Sequence, residues 1–388
     1  MIKEIVTECY LWLVKIFWLF FGYRELANKV VFVCSFPENN LFVYRELKSK
    51  RPDLRFVFLC RRGCMTAMGR TGESVFPIES FFPWRIGRTV YHLATTKMVV
   101  VDNYYSFLSV LRLRKNVRCL QLWHACGAFK AFGLEDHTIA MRPNRAKQRF
   151  RQVYNRFDKI AVGSDRMEEI FELSFGLDDS HFLYSGIPRT DILFNQTAIA
   201  SVKDRFKIRY GGRKVILYAP TFREKKKIEK LTIDLTKMEK ELSDDYVLLL
   251  RSHPLANVKN GMSRDSHFVF DCSAENSIDE LLLGTDILIT DYSSIPFEFS
   301  LLGRPMIFFP YDLEQYKLVR GLMENYDKTV PGPIAHSTEE VISYIKADAF
   351  DLQRIRSFAQ VWNKYSQGRS SNNVAQYICR CIQSVEKH

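Results

Sequence analysis

The chain has no apolar run long enough to cross a bilayer. Its most apolar stretch, Tyr10 to Phe21, belongs to a segment interrupted by Lys3, Glu4, Glu8 and Lys15, whereas a spanning helix needs about 20 predominantly apolar residues. A small-residue cleavage site is missing too: Phe21-Gly22-Tyr23-Arg24 offers none, so a removable leader is not expected. The nine cysteines do not have zinc spacing, because neither Cys60 and Cys64 nor Cys379 and Cys381 suits a structural site. Odd in number and embedded in apolar runs, as Cys34, Cys60, Cys119 and Cys272 are, they predict reduced core thiols of a cytosolic protein. Zinc-finger and RNA-binding signatures are absent, which ranks nucleic acid last among partners. Low complexity and short internal repeats are absent as well. No carboxylate cluster demands a catalytic metal, and assistance by Mg²⁺ is left open.

What is present is apolar and basic. Of 388 residues, 47% are hydrophobic and 14% aromatic, enough for roughly two buried cores. The net charge of +12 calls for an anionic partner: nucleic acid, an acidic membrane surface or a phosphorylated substrate. Basic residues concentrate at Arg142, Arg145, Lys147, Arg149, Arg151 and Arg156, and at Lys225 to Lys227. Residues 1–23 read as an apolar helix, with two tryptophans, Lys15 and Arg24 suited to the headgroup boundary. The competing reading is a helix packed on the protein or in a homo-oligomer.

From Lys29 onward, short runs of Val, Ile and Phe alternate with amphipathic helices. Strands are expected at 29–36, 55–60, 98–101, 117–122 and 158–162, and helices at 41–50, 84–95 and 166–175. After a Lys-rich stretch at 203–213, strands at 215–218, 246–250, 267–271, 286–289 and 305–309 alternate with helices at 234–242, 278–283 and 296–302, and 352–383 closes the chain as helix. Continuous apolar strands of this kind are buried on both faces of a parallel sheet, so the fold class is α/β. The expected domains are a helix at 1–23, an N-terminal α/β domain at 24–205, a C-terminal α/β domain at 206–372 and a final helix at 373–388.

The polar loops at the strand ends carry the chemistry, since ligands of open α/β sheets bind at the carboxyl ends of strands. Thr290-Asp291-Tyr292-Ser293-Ser294 is a strand end, a hydroxyl-rich turn and a helix start; serines and helix amides there can hold phosphate, or Ser294 can simply cap its helix. His124, after Trp123 at a strand end, can take a proton from a hydroxyl near neutral pH, or can bond a backbone carbonyl. His253 lies between Arg251 and Pro254, where an arginine can neutralise phosphate. Thr221 and Arg223, after Pro220, can contact an anion or cap the next element. Glu298, one turn into the helix after Ser294, can accept from ribose hydroxyls or remain a solvated carboxylate. Gly186 to Asp191, with a turn glycine, a fixed proline and an Arg/Asp pair, can lock a hinge between the domains or touch substrate, and it reads as structural.

Taken together, Leu122-Trp123-His124-Ala125-Cys126-Gly127-Ala128-Phe129-Lys130, Gly186 to Asp191, Tyr218 to Arg223, Arg251-Ser252-His253-Pro254 and Ile289 through Tyr316 resemble the CDP-glycerol glycerophosphotransferase family of teichoic acid synthesis. The order of the motifs is that of the family, and coverage runs from about residue 95 to the C-terminus. Polymerases of the family usually read Trp-His-Gly-Thr-Pro at the first histidine. Ala125, Cys126, Gly127 and Ala128 depart from this, and with Asp102-Asn103-Tyr104-Tyr105 and Gly133-Leu134-Glu135-Asp136 the chain looks more like the primase branch.

The resemblance implies a glycosyltransferase-B-like fold of two doubly wound, Rossmann-like domains facing a cleft, with an N-terminal membrane-associating helix. It implies transfer of glycerol phosphate from CDP-glycerol to the terminal N-acetylmannosamine of an undecaprenyl-diphosphate-linked disaccharide, with release of CMP, at the cytoplasmic face of the membrane. By analogy His124 is the general base, and His253 stabilises or protonates the departing diphosphate side. Ser293 and Ser294 cradle the diphosphate; Thr290, Asp291, Arg251, Thr221, Arg223 and Glu298 complete the donor site. A poly(glycerol phosphate) or ribitol phosphate polymerase and a nucleotide-sugar glycosyltransferase remain as alternatives. A non-catalytic membrane scaffold would leave the strand-end loops without a purpose.

Overall fold

Short strands apolar on both faces have to be covered on both faces, and here they assemble into two all-parallel sheets flanked by helices. The computed structural model describes residues 2–78, 80, 82–221, 232–251, 266–273, 277–322 and 325–386. Contacts divide the chain into two units. The first comprises Met1–His124, Phe132–Asp191 and Lys364–His388, and the second Ala125–Ala131 and Ile192–Asn363.

The first unit contains β1 (Lys29–Cys34), β2 (Arg55–Cys60), β3 (Ser74–Pro77), β4 (Met98–Val101), β5 (Arg118–Gln121), β6 (Lys159–Ala161) and β7 (Phe182–Leu183). Their order across the sheet is β3-β2-β1-β4-β5-β6-β7. Register between the central strands sets Val30 against Met98 and Val33 against Val101. The second unit contains β8 (Lys214–Ala219), β9 (Tyr246–Leu250), β10 (Val269–Asp271), β11 (Ile287–Thr290) and β12 (Met306–Phe308), in the order β10-β9-β8-β11-β12. In each sheet the chain steps outward from one central strand and then returns to its other side. The order therefore reverses between β1 and β4 and between β8 and β11, and such reversals open a crevice at the strand carboxyl ends.

The sequence patterning located most of these elements, and the exceptions have physical causes. Helix Pro37–Lys50 starts earlier than expected because Pro37 stands at its first position, where a missing N–H costs nothing. The basic connector forms helix Asn144–Tyr154, whose inward face includes Ala146, Arg149 and Val153; a buried arginine hides the apolar stripe from a periodicity count. Helix Gln196–Arg209 buries only Val202 and Phe206, too few to register as amphipathic. The closing segment is two helices, Leu352–Trp362 and Ser370–Glu386, the second of which packs in the first unit, with Val374, Ala375, Ile378 and Ile382 in that core.

Helix Ile2–Phe21 packs on helix Pro83–Ala94 of the same unit. Leu11 and Val14 are buried, Phe17 lies against Gly87, and Phe21 meets Tyr91 edge-on at 5.5 Å. The buried Arg149 guanidinium pairs with Glu4 at 2.8 Å and Glu8 at 2.9 Å, which ties the first turns down. The opposite face exposes Ile5, Trp12, Leu19 and Phe20. Among the described residues no helix is long and apolar enough to cross a membrane.

Candidate active site

At the reversal in the first sheet, Asp102 directly follows β4 and is fully buried. Its carboxylate accepts from the Ser35 amide at 3.0 and 2.8 Å, the Phe36 amide at 2.8 Å, Asn40 Nδ2 at 2.8 Å and the Tyr105 hydroxyl at 2.7 Å. Burial nevertheless pushes its pKa up to about 6, against the pull of those donors. The main-chain carbonyl of Asp102 faces His124, whose Nδ1 lies 3.1 Å away. A carbonyl only accepts, so Nδ1 carries the proton and Nε2 keeps its lone pair. Nε2 makes no hydrogen bond among the described residues. Desolvation lowers the His124 pKa to about 4; the carbonyl bond opposes this and the Arg189 charge adds to it. The imidazole is therefore neutral at pH 7 and able to accept a proton.

The aim of His124 is set by the residue before it. Trp123 has φ of 57°, a left-handed conformation that costs a bulky side chain about 1–3 kcal/mol. Three contacts hold it there. Its amide donates to Gln121 Oε1 at 2.9 Å, its carbonyl accepts from Asn39 Nδ2 at 3.0 Å, and its ring packs on Phe132 at 5.1 Å with Phe171 and Phe175 edge-on. Asn39 also accepts the Arg189 amide at 2.9 Å. Phe36 stacks on the imidazole at 4.4 Å. The chain passes from the first unit to the second between His124 and Ala125.

At the reversal in the second sheet, Asp291 directly follows β11 and is buried. Its Oδ1 accepts the Thr221 amide at 2.8 Å and the Tyr292 amide at 2.6 Å, and its carbonyl accepts the Tyr326 hydroxyl at 3.0 Å. Thr290 is also buried and donates to the Ala219 carbonyl at 2.7 Å. These two residues shape the strand ends. The turn beyond them is half-buried. Ser293 Oγ accepts the Ile295 amide at 3.2 Å, Pro296 has no amide to give, and the Phe297 amide is bonded to the Ser294 carbonyl at 3.2 Å. The donors without a hydrogen bond among the described residues are thus the amides and the hydroxyls of Ser293 and Ser294. An anion here would be held by the two serines themselves, with the amides of the short helix Ile295–Phe299 already committed.

Other expected residues lie in the same unit. Arg251 follows β9 and donates to the Cys272 carbonyl at 2.9 Å. Glu298 is buried, with Cys126 Sγ 4.0 Å from its Oε2, so it is not a solvated helix-face carboxylate. The segment after His124 packs under the same helix: Phe129 lies 4.5 Å from the Phe297 ring, and a Cβ on Gly127 would come within 2.3 Å of it. Arg223 and His253, like Lys225 to Lys227, lie outside the described residues. Asp191 accepts the Ser370 and Ser371 amides, each at 2.8 Å, and Gly186, with φ of 76°, leaves no room for a side chain against Ser370 and Tyr365; both serve the structure of the first unit.

Sequence reasoning missed the supports of His124. Asp102 was visible only as part of a branch signature, although an Asp directly after a buried strand is the same pattern as Thr290-Asp291. Asn39 and Phe36 carried no signal, because their partners are 84 and 88 positions further on.

Two doubly wound parallel sheets thus carry a neutral histidine at one reversal and a turn with unbonded serine donors at the other, a frame suited to group transfer. The sequence profile of the CDP-glycerol:poly(glycerophosphate) glycerophosphotransferase family matches residues 19–380, and the chain belongs to that family of phosphotransferases. It is 33% identical over 380 residues, 97% of this chain and 98% of the relative, to the teichoic acid glycerol-phosphate primase of Bacillus subtilis (strain 168). It is 34% identical, over 92% of each chain, to the teichoic acid ribitol-phosphate primase of Bacillus spizizenii. Among solved structures, one of the wall teichoic acid polymerase TagF soaked with CDPG superposes with a TM-score of 0.81 at 25% identity, covering 100% of this chain and 97% of that one.

Proposed function

We propose that the protein is a teichoic acid primase: it transfers one glycerol phosphate from CDP-glycerol to the terminal N-acetylmannosamine of an undecaprenyl-diphosphate-linked disaccharide. The observation that carries this reading is the match to the glycerol-phosphate primase along 98% of that relative's length. A ribitol phosphate donor is the second reading, supported by the comparable identity of 34% to a ribitol-phosphate primase.

In the proposed reaction an acceptor hydroxyl oxygen bonds to the phosphorus that carries glycerol. His124 Nε2 takes the hydroxyl proton, and the bond from that phosphorus to the bridging oxygen breaks, so that CMP leaves with the electron pair. His124 suits the step because it is neutral and its Nδ1–H is fixed on the Asp102 carbonyl. The Ser293 and Ser294 donors suit the donor diphosphate, where negative charge accumulates. Arg251, Thr221, Glu298, Thr290 and Asp291 support that turn; Arg223 and His253 are assigned to the same diphosphate by resemblance. A glycosyltransferase-B-like pairing of the units and a peripheral position at the cytoplasmic face of the membrane complete the reading. The exposed apolar face of helix Ile2–Phe21 supports the latter.

The deciding experiment is incubation of the purified protein with CDP-glycerol and the lipid-linked N-acetylmannosaminyl-N-acetylglucosamine, followed by mass spectrometry of the lipid. One added glycerol phosphate with release of CMP is expected. A ladder of products would make it a polymerase, and turnover only with CDP-ribitol would move the donor assignment.

A further inference from the structure

Helix Ile2–Phe21, the segment before β5 and the end of helix Asn144–Tyr154 line an open cavity of about 990 Å³ within the first unit. Four cationic side chains face it, Lys15, Arg112, Arg114 and Arg156, with Trp18 and Tyr23 beside them and no carboxylate among the lining residues. Arg114 has a structural duty, since it donates to the Gly22 and Arg24 carbonyls and so closes the end of the N-terminal helix. The other three have none of this kind: Lys15, Arg112 and Arg156 form no ion pair among the described residues. Arg156 Nε is buried with no hydrogen-bond partner. The contrast with Arg149 is direct, because that arginine has both Glu4 and Glu8.

Cations gathered around one partly desolvated cavity repel each other and leave donors unsatisfied unless an anion joins them. The surroundings indicate which anion. Leu19 and Tyr23 at the cavity are 69% and 88% exposed, and on the same helix Trp12 and Phe20 are 64% and 69% exposed. A water-soluble anion has no use for such a collar, whereas a lipid places its acyl boundary beside its phosphate. We propose that this cavity binds the phosphate headgroup of an anionic phospholipid, separately from the reaction crevices, and so orients the protein on the bilayer. The inference rests on the membrane position proposed above.

The test is sedimentation of the full chain with vesicles of phosphatidylcholine alone or mixed with phosphatidylglycerol. A Lys15→Ala/Arg112→Ala variant, both positions being exposed, is compared with a control of equal charge loss, Lys207→Ala/Lys328→Ala, on the second unit. The pocket variant is expected to lose about 25-fold in affinity for the phosphatidylglycerol vesicles, at about fivefold per cation. The control should stay within about twofold, and binding to phosphatidylcholine should be equal for all. Equal losses in the two variants would reduce the effect to diffuse charge and overturn the pocket; so would an equal loss on neutral vesicles. Inorganic phosphate that protected the wild type but not the pocket variant against heat, with no difference between them on vesicles, would assign a free anion instead. Failure of the wild-type chain to bind any vesicle would sink the membrane reading itself, a distinct result.

Discussion

The two sheet reversals are built alike and tuned apart. In each, an aspartate directly after a strand is buried and its carboxylate accepts the amide of the residue that follows, or nearly follows, the neighbouring central strand: Ser35 for Asp102 and Thr221 for Asp291. Around Asp102 the carboxylate takes up donors from the loop and from Asn40 and Tyr105, and what is left over is a proton acceptor, the Nε2 lone pair of His124. Around Asp291 the carboxylate holds the loop through the Thr221 and Tyr292 amides, and what is left over beyond it is a set of donors, the amides and hydroxyls of Ser293 and Ser294. In the reaction proposed above, one scaffold would serve as a base for the acceptor hydroxyl at one reversal and as a set of donors for the diphosphate at the other. The difference lies in the residues three or four places beyond a strand end, His124 after β5 and Ser293 and Ser294 after β11, not in the fold.

If that division holds, the largest effect belongs to the base. His124→Ala should lower the transfer rate by about 10²–10⁴-fold while leaving the fold and donor binding unchanged, measured as CMP release with CDP-glycerol and lipid-linked acceptor. Turnover near that of the wild type would remove His124 from the chemistry. Asp102→Asn comes next. An amide cannot accept on both sides, so some of the donors from Ser35, Phe36, Asn40 and Tyr105 lose their partner, and the carbonyl that holds His124 shifts. A misaimed base predicts a fall in kcat of about 10²-fold with the donor KM unchanged. A rise in KM with kcat intact would mean that Asp102 shapes a binding surface instead. On the other side, Ser294→Ala removes one hydroxyl donor to a charged group and should raise the donor KM about tenfold with kcat little changed.

How much of this could be read beforehand depends on how far apart the partners lie in the chain. The strands were legible because burial on both faces demands continuous apolar runs, and His124 and the serine turn were legible because both stand at strand ends. The aim of His124 was not. It depends on Asn39 and Asp102, which lie far back in the chain, and on a positive φ at Trp123, a conformation that sequence rules reserve for glycine and asparagine. The burial of Glu298 was not legible either, because Cys126, whose Sγ lies 4.0 Å from its carboxylate, stands on a loop that leaves the first unit directly after His124. The buried Arg149 broke the apolar stripe of its helix for the same kind of reason, since its carboxylate partners are near residue 4.

The smallest expected effect tests the electrostatic half of the contrast without any substrate. Burial moves the two neighbours in opposite directions, Asp102 up to about 6 and His124 down to about 4. For His124 the folded protein binds its proton less tightly than the unfolded chain. Its contribution is therefore present above the unfolded value near 6.5 and is lost as pH falls toward 4. Asp102 does the reverse: the folded state holds the proton more tightly, so its contribution is present at low pH and is lost as pH rises from about 4 to 6. In the wild type the two slopes oppose each other over the same interval. His124→Ala removes one of them, so the melting temperature of the variant relative to the wild type should fall by about 1–3 °C as pH rises from 4 to 6.5. A difference that stays level across that interval would show that His124 is solvated in the folded protein, and the neutral, carbonyl-tethered base would lose its physical ground.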